Sequence, residues 1–160
     1  MTVIDVSKDF QARTLTFSAE FSAPMKRVWQ LFEDPRQLER WWGPPTWPAT
    51  FTEHELVEGG TMKYYMTSPE GDHSRGWWRV IAVDPPHSLE FESGFADETG
   101  APVKDSPSMN MLVTLSEEPG GVTRMVVQSS YPTKAFMDKV MEMGMEEGMK
   151  GALSQIDGLL

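Results

Sequence analysis

Apolar and polar side chains alternate over residues 12–21. Leu15, Phe17, Ala19 and Phe21 fall on one side, and Thr14, Thr16, Ser18 and Glu20 on the other. A period of two over this length predicts a half-buried strand. The pattern then changes. Ser22-Ala23-Pro24 places a proline in the first turn of a helix, and Val28, Leu31 and Phe32 supply its buried stripe. Asp34-Pro35 ends that helix and caps a second short one over 36–41. Three prolines between Gly43 and Pro48 predict a stiff loop. Strands follow at 49–57, 61–68, 74–83, 89–95, 108–116 and 122–131. Turn chemistry separates them: Gly59-Gly60, Pro69-Glu70-Gly71-Asp72, Asp84-Pro85-Pro86-His87 and Glu118-Pro119-Gly120-Gly121, with a longer acidic loop over 96–107. Thr133 caps a final helix over 134–159, which would span about 39 Å. Seven strands joined mostly by hairpins imply an antiparallel sheet, so the class is α+β. Residues 1–160 read as a single domain. Residues 1–11 carry Asp5 and Asp9 without an apolar core and read as a flexible N-terminal extension, not a secretory signal.

The last helix is strongly two-faced. At about 100° per residue, Met137, Met141, Met145, Gly148, Met149, Ala152, Leu153, Ile156 and Leu160 share one broad arc. Lys139, Glu146, Glu147, Lys150 and Asp157 take the other side, with Met143 on neither the apolar stripe nor the core. Methionines at this spacing are most often plain core. Here they have company, because Met62, Met66, Met109, Met111 and Met125 sit on predicted strands. Flexible thioethers suit an adaptable apolar cavity between helix and sheet. Gly144, Gly148 and Gly151 each weaken a helix by up to about 1 kcal/mol relative to Ala. Their use would be close packing or room for a ligand.

Charge narrows the partners. Fourteen Lys and Arg against 24 Asp and Glu give a net charge of −10. Nucleic acid is not an expected partner, since phosphate backbones need a basic face. Anionic lipid surfaces are disfavoured for the same reason. No apolar run approaches the ~18 residues of a membrane helix, so no membrane insertion is expected and the chain reads as cytoplasmic. The absence of cysteine rules out disulfides, thiolate metal sites and cysteine nucleophiles.

Ala23-Pro24 is followed by Val28-Trp29, Asp34-Pro35 and Leu38-Glu39-Arg40-Trp41-Trp42-Gly43-Pro44. Gly59-Gly60-Thr61-Met62, Pro69-Glu70-Gly71, Val83-Asp84-Pro85-Pro86 and Phe95-Ala96-Asp97-Glu98 come next, and Met143-Gly144-Met145-Glu146-Glu147-Gly148-Met149 closes the series. In order and spacing this set resembles the activator of Hsp90 ATPase homologue 1-like family, small bacterial proteins of the START/Bet v 1-like, polyketide-cyclase-like superfamily. The resemblance covers residues 12–160. It implies a helix-grip fold: a curved seven-stranded antiparallel sheet around a long C-terminal helix, with two short helices closing one end. It does not imply an Hsp90-type chaperone as partner, because activation by the eukaryotic protein also depends on an N-terminal domain that this sequence does not contain.

Fold alone does not assign function. The three histidines have no metal-ligand spacing, and no metal or other cofactor is expected. His54 alternates with Glu53 and Glu55 and is a weak candidate for a general base inside the cavity. Its bland alternative is a satisfied strand histidine. Tyr64, Tyr65, Tyr131 and Arg79 are polar candidates for the wall. Trp41 and Trp42, as neighbours on a short helix, should divide between core and cavity entrance. The expected function is binding of a small, largely apolar molecule such as a lipid, isoprenoid or aromatic polyketide. The wall residues would be Trp42, Phe51, Tyr64, Met66, Trp78, Phe91, Met111, Val113, Met141, Met145 and Met149. A cyclase, dehydratase or hydrolase using the same cavity is the first alternative. A stress-response or co-chaperone module acting through its surface is the second. Aromatics around Trp47 are a candidate contact for a homodimer.

Overall fold

The computed structural model describes residues 4–160. Its strands are β1 (Ile4–Asp9), β2 (Thr14–Phe21), β3 (Ala49–His54), β4 (Thr61–Thr67), β5 (His73–Asp84), β6 (Ser88–Phe95), β7 (Met109–Glu118) and β8 (Val122–Ser130). The helices are α1 (Met25–Glu33), α2 (Pro35–Leu38), α3 (Lys134–Glu142) and α4 (Met145–Ser154), and a 3-10 turn spans Ile156–Leu159. All strands belong to one antiparallel sheet in the order β1-β2-β8-β7-β6-β5-β4-β3. After β2 the chain crosses through α1 and α2 to the far edge and returns by hairpins. This is the α+β, helix-grip-like arrangement, with one strand more than expected.

The extra strand is β1. It pairs with β2 from Ile4 opposite Ala19 to Asp9 opposite Thr14, so most of the expected extension is ordered sheet. Ile4 and Val6 pack against the core, and Lys8 makes an ion pair of 2.6 Å with Glu146 on α4. Two apolar residues among polar ones are too few to signal a strand, and the free edge of β2 supplies the missing template. The first three residues of the expected extension lie outside the described residues.

The C-terminal helix also differs. It is not continuous over 134–159 but breaks between α3 and α4 at Gly144, whose φ is +89°. The Met143 N–H reaches the Lys139 carbonyl and the Gly144 N–H the Met141 carbonyl, which closes α3. Glycine adopts this left-handed conformation without the Cβ clash other residues meet. Apolar residues continue on the same side across the break, so periodicity alone does not reveal it.

The inner face of the sheet follows the alternation. Leu15, Phe17, Met62, Trp78, Phe91 and Met111 are buried there. Val28, Leu31 and Phe32 of α1 and Met137, Val140, Met149 and Leu153 of α3 and α4 complete the same core. The edge of β3 is covered by side chains. The Phe51 N–H donates to Glu39 Oε2 at 2.7 Å, and the Arg36 guanidinium donates to the Phe51 carbonyl at 3.3 Å. Arg36 and Glu39 are themselves 3.4 Å apart. The pair substitutes for a neighbouring strand at one residue, a common way to blunt a sheet edge.

Candidate functional site

A cavity of about 250 Å³ lies between the inner face of the sheet and the α3–α4 junction. Three layers of sequence create it. From the sheet come Tyr64 and Met66 of β4, Ser93 and Phe95 of β6, and Met109 and Met111 of β7. The α3–α4 junction contributes Val140, Met143, Gly144, Met145, Gly148 and Met149. Trp42 and Pro44 close it from the loop after α2. A Cβ built on Gly144 or Gly148 would meet nothing within 4 Å, so these glycines leave space open. At Gly151 a Cβ would make ordinary contact with Pro45, 3.4 Å away, so that glycine faces the loop after α2 rather than open space.

Beside the cavity the core holds an aromatic stack. Trp78 and Phe91 lie parallel, with centroids 3.9 Å apart. Trp42 meets Trp78 edge-on at 4.7 Å and Tyr64 at 6.2 Å. The Tyr64 ring lies over Gly76, its cross-strand partner, where a Cβ would sit 2.4 Å from the phenol oxygen. Glycine is required here because the phenol occupies the place of a side chain.

Polar groups in the wall are few and mostly neutral. Burial pushes the Tyr64 phenol above its ordinary pKa, while Trp42 and Ser93 beside it favour the ionised form and partly offset this. The phenol is therefore protonated at neutral pH. The Trp42 N–H lies near that oxygen, but not in a geometry that satisfies it. The indole N–H groups of Trp42 and Trp78 are both buried without a hydrogen-bond partner among the described residues. A buried N–H left unpaired costs about 1–3 kcal/mol, so such groups call for a reason.

The model for the family Activator of Hsp90 ATPase homolog 1-like protein matches residues 22–160. The chain belongs to this family. The chain is similar to the solved structure of Ms6760 from Mycobacterium smegmatis, at 44% identity and TM-score 0.91 over 99% of this chain and 97% of that one. A protein from Arthrobacter aurescens is 52% identical, with TM-score 0.90 over 96% of this chain and 88% of that one. DynU16, from the dynemicin biosynthetic locus, shares the fold at 17% identity and TM-score 0.64, over 91% of this chain and 46% of that one. No curated protein matches the chain. The likenesses are consistent with the Bet v 1-like superfamily.

Within this member of the family, the structure sorts the expected wall residues into two groups. Trp42, Tyr64, Met66, Met111, Met145 and Met149 line the cavity. Phe51, Trp78, Phe91 and Val113 are on the correct face but lie in the packed core, away from the cavity lining. Met141 packs against that core rather than lining the cavity. Large rings fill the middle of the sheet, so space survives only at the end where Ser93, Gly94 and short helical residues meet. Ser93, Met109 and Met143 are among the wall residues that were not anticipated. The first two share the inner face with Phe91 and Met111, and alternation along β6 and β7 could have found them. Met143 could not be found that way, since only the break at Gly144 turns it towards the mouth. It is 59% exposed.

His54 is placed elsewhere. A bulge between Phe51 and Glu53 puts it opposite Met62 on the inner face, at the α1 end of β3. Its Nε2 lies 2.9 Å from the Phe32 carbonyl, so that nitrogen carries the proton and donates it. It is a strand histidine satisfied by the C-terminal end of α1, not a base for the cavity. Among the other polar candidates, Arg79 pairs with Glu92 at 2.8 Å. Tyr65 stacks on His73 at 4.3 Å beside the Arg75 guanidinium. The Tyr131 hydroxyl is 3.0 Å from Ser129 Oγ in the core. Trp41 and Trp42 are both buried, Trp41 in the core and Trp42 in the cavity wall. Helix α2 ends at Leu38, and the irregular turn beyond it lets Trp41 donate to the Leu31 carbonyl while Trp42 reaches the sheet. Among the described residues no cluster of three His, Asp or Glu is arranged to hold a metal ion, and no helix is long and apolar enough to cross a membrane.

Proposed function

We propose that the protein binds a small, largely apolar molecule in the cavity between the sheet and the α3–α4 junction. The observation that carries this reading is the unfilled space of about 250 Å³ walled by methionines and aromatic rings. A core that needed only to be stable would close such space, because each cavity lining loses its contacts. Thioethers on both sides of the cavity can repack around different shapes. A surface-acting module would have no use for the space, and the cyclase-like alternative loses its proposed base at His54.

Size sets the ligand scale. A dry cavity of ~150 Å³ takes benzene. The larger cavity here suits a bicyclic ring system or a chain of comparable bulk. A ligand as large as an aromatic side chain buries about 200 Å², which at about 25 cal/mol per Å² stabilises the complex by about 5 kcal/mol. That corresponds to a Kd on the order of 0.1 mM before polar contacts and ordering costs. At 1 mM ligand, the folded state gains about 1.4 kcal/mol and Tm rises by about 3–6 °C. The test is thermal unfolding across a panel of isoprenoid alcohols, medium-chain alcohols and bicyclic aromatics at 1 mM. A rise with a defined subset, confirmed by calorimetric titration at one site per chain, is the expected result. No rise with any member overturns the proposal.

A further inference from the structure

We infer that the cavity selects an uncharged ligand that presents one hydroxyl or carbonyl oxygen to the Tyr64–Ser93 end of the wall. This rests on the ligand-binding reading above and specifies its chemical class. Three observations carry it.

The first is the absence of charge directed inward among the described residues. Arg75 and Ser74 form part of the rim. Arg75 pairs across the strands with Tyr65 and lays its guanidinium over that ring, 5.2 Å from the centroid. Tyr64 and Met66 line the cavity, and Tyr65 between them faces the other side of the sheet. The Arg75 charge therefore sits on the outer face. Glu146, near the mouth in sequence, points away to Lys8 and Lys150. A carboxylate or ammonium entering this cavity would lose its water and meet no counter-ion, which is prohibitive unless it first becomes neutral. The net charge of −10 opposes an anion further.

The second observation is the polar corner itself. The hydroxyls of Tyr64 and Ser93 adjoin each other on the wall beside the unpartnered Trp42 N–H. The Trp42 N–H is a buried donor that no oxygen of this corner accepts from. An incoming oxygen that accepts a hydrogen bond satisfies it, and a neutral hydroxyl or carbonyl does so without a charge to bury.

The third is the placement of the corner against an otherwise apolar wall of Met66, Met109, Met111 and Met149. One polar point in an apolar cavity orients a ligand rather than holding it by many contacts.

Calorimetric titration with three compounds of one ring size tests this: 2-naphthol, 2-naphthoate and 2-naphthylmethylammonium, all at pH 7. The expected result is that 2-naphthol binds and that each ion binds at least about a hundredfold more weakly. Tyr64→Phe and Ser93→Ala, each checked for unaltered thermal unfolding of the free protein, should each lower the 2-naphthol affinity roughly fivefold. Tyr64→Phe keeps the ring and removes only the hydroxyl. Equal or tighter binding of either ion overturns this inference and leaves the ligand-binding reading standing. So does unchanged 2-naphthol affinity in both variants. Binding of none of the three removes the inference together with the bicyclic size class on which it rests.

Discussion

Gly148 sits in α4 at the cavity wall, and a Cβ built on it would meet nothing within 4 Å. Its backbone is helical, unlike that of Gly144. Replacing it with leucine therefore adds two favourable terms. Leaving glycine in a helix interior contributes about 1 kcal/mol. Placing part of a leucine side chain into empty apolar space adds about another 1 kcal/mol, since full burial gives about 1.5–3. The variant should be more stable than the parent by about 2 kcal/mol, a Tm rise of roughly 4–8 °C for a chain of this size. The same side chain occupies the ligand's space, so the thermal shift produced by 1 mM 2-naphthol should disappear. Gly148→Ala separates the two terms, because it should keep the propensity gain of about 1 kcal/mol and retain most of the binding. Thermal unfolding with and without ligand reads all of this. A lower Tm for both variants would refute the reasoning, since it would mean the space beside Gly148 is already filled. A higher Tm for Gly148→Leu with ligand response intact would place the binding site elsewhere.

Gly144→Ala should act in the opposite direction. No atom obstructs its Cβ, but a φ of +89° strains any other residue, so thermal unfolding should show a loss of about 1–2 kcal/mol. Glu39→Ala leaves the Phe51 N–H on the β3 edge without its acceptor, 2.7 Å away in the parent. It should cost about 1–2 kcal/mol and increase light scattering at high concentration, whereas Glu39→Gln should restore much of the loss. The Glu146 carboxyl is held below its usual pKa, chiefly by its hydrogen bond with Lys8. A depressed carboxylate pKa stabilises the fold above the unfolded value near 4.5 and loses that effect as pH falls through the folded value. Lys8→Met should therefore flatten the fall in Tm between about pH 5 and pH 3. An identical acid limb in the two proteins would show that the β1–α4 ion pair has no influence on stability.

Much of the fold was legible because it depends on neighbours in sequence. The alternation in 12–21 assigned Leu15 and Phe17 to one face, and the structure buries both. Turn residues marked four of the connections between strands. The capping Thr133 was correct, with its hydroxyl accepting from the Phe136 N–H at 3.1 Å. Six of the expected wall residues, Trp42, Tyr64, Met66, Met111, Met145 and Met149, do line the cavity. Periodicity reports which side of an element a residue faces, and that information is local.

The rest required tertiary structure because it depends on volumes contributed by distant segments. Phe51, Trp78, Phe91 and Val113 face the same way as the true wall residues, yet stacked rings from β5 and β6 fill the space around them. The cavity is what remains where Ser93 and Gly148 are small. His54 lost its candidate role through a bulge in β3 and a carbonyl of α1, neither visible in its immediate neighbours. β1 became a strand because β2 presented an unpaired edge, and the break at Gly144 divided a helix whose apolar stripe continues across it. Composition and pattern thus determined the elements, their faces and the apolar character of the interior. The position and size of the cavity, and the neutrality of its polar corner, arose only when side chains far apart in the chain competed for the same space.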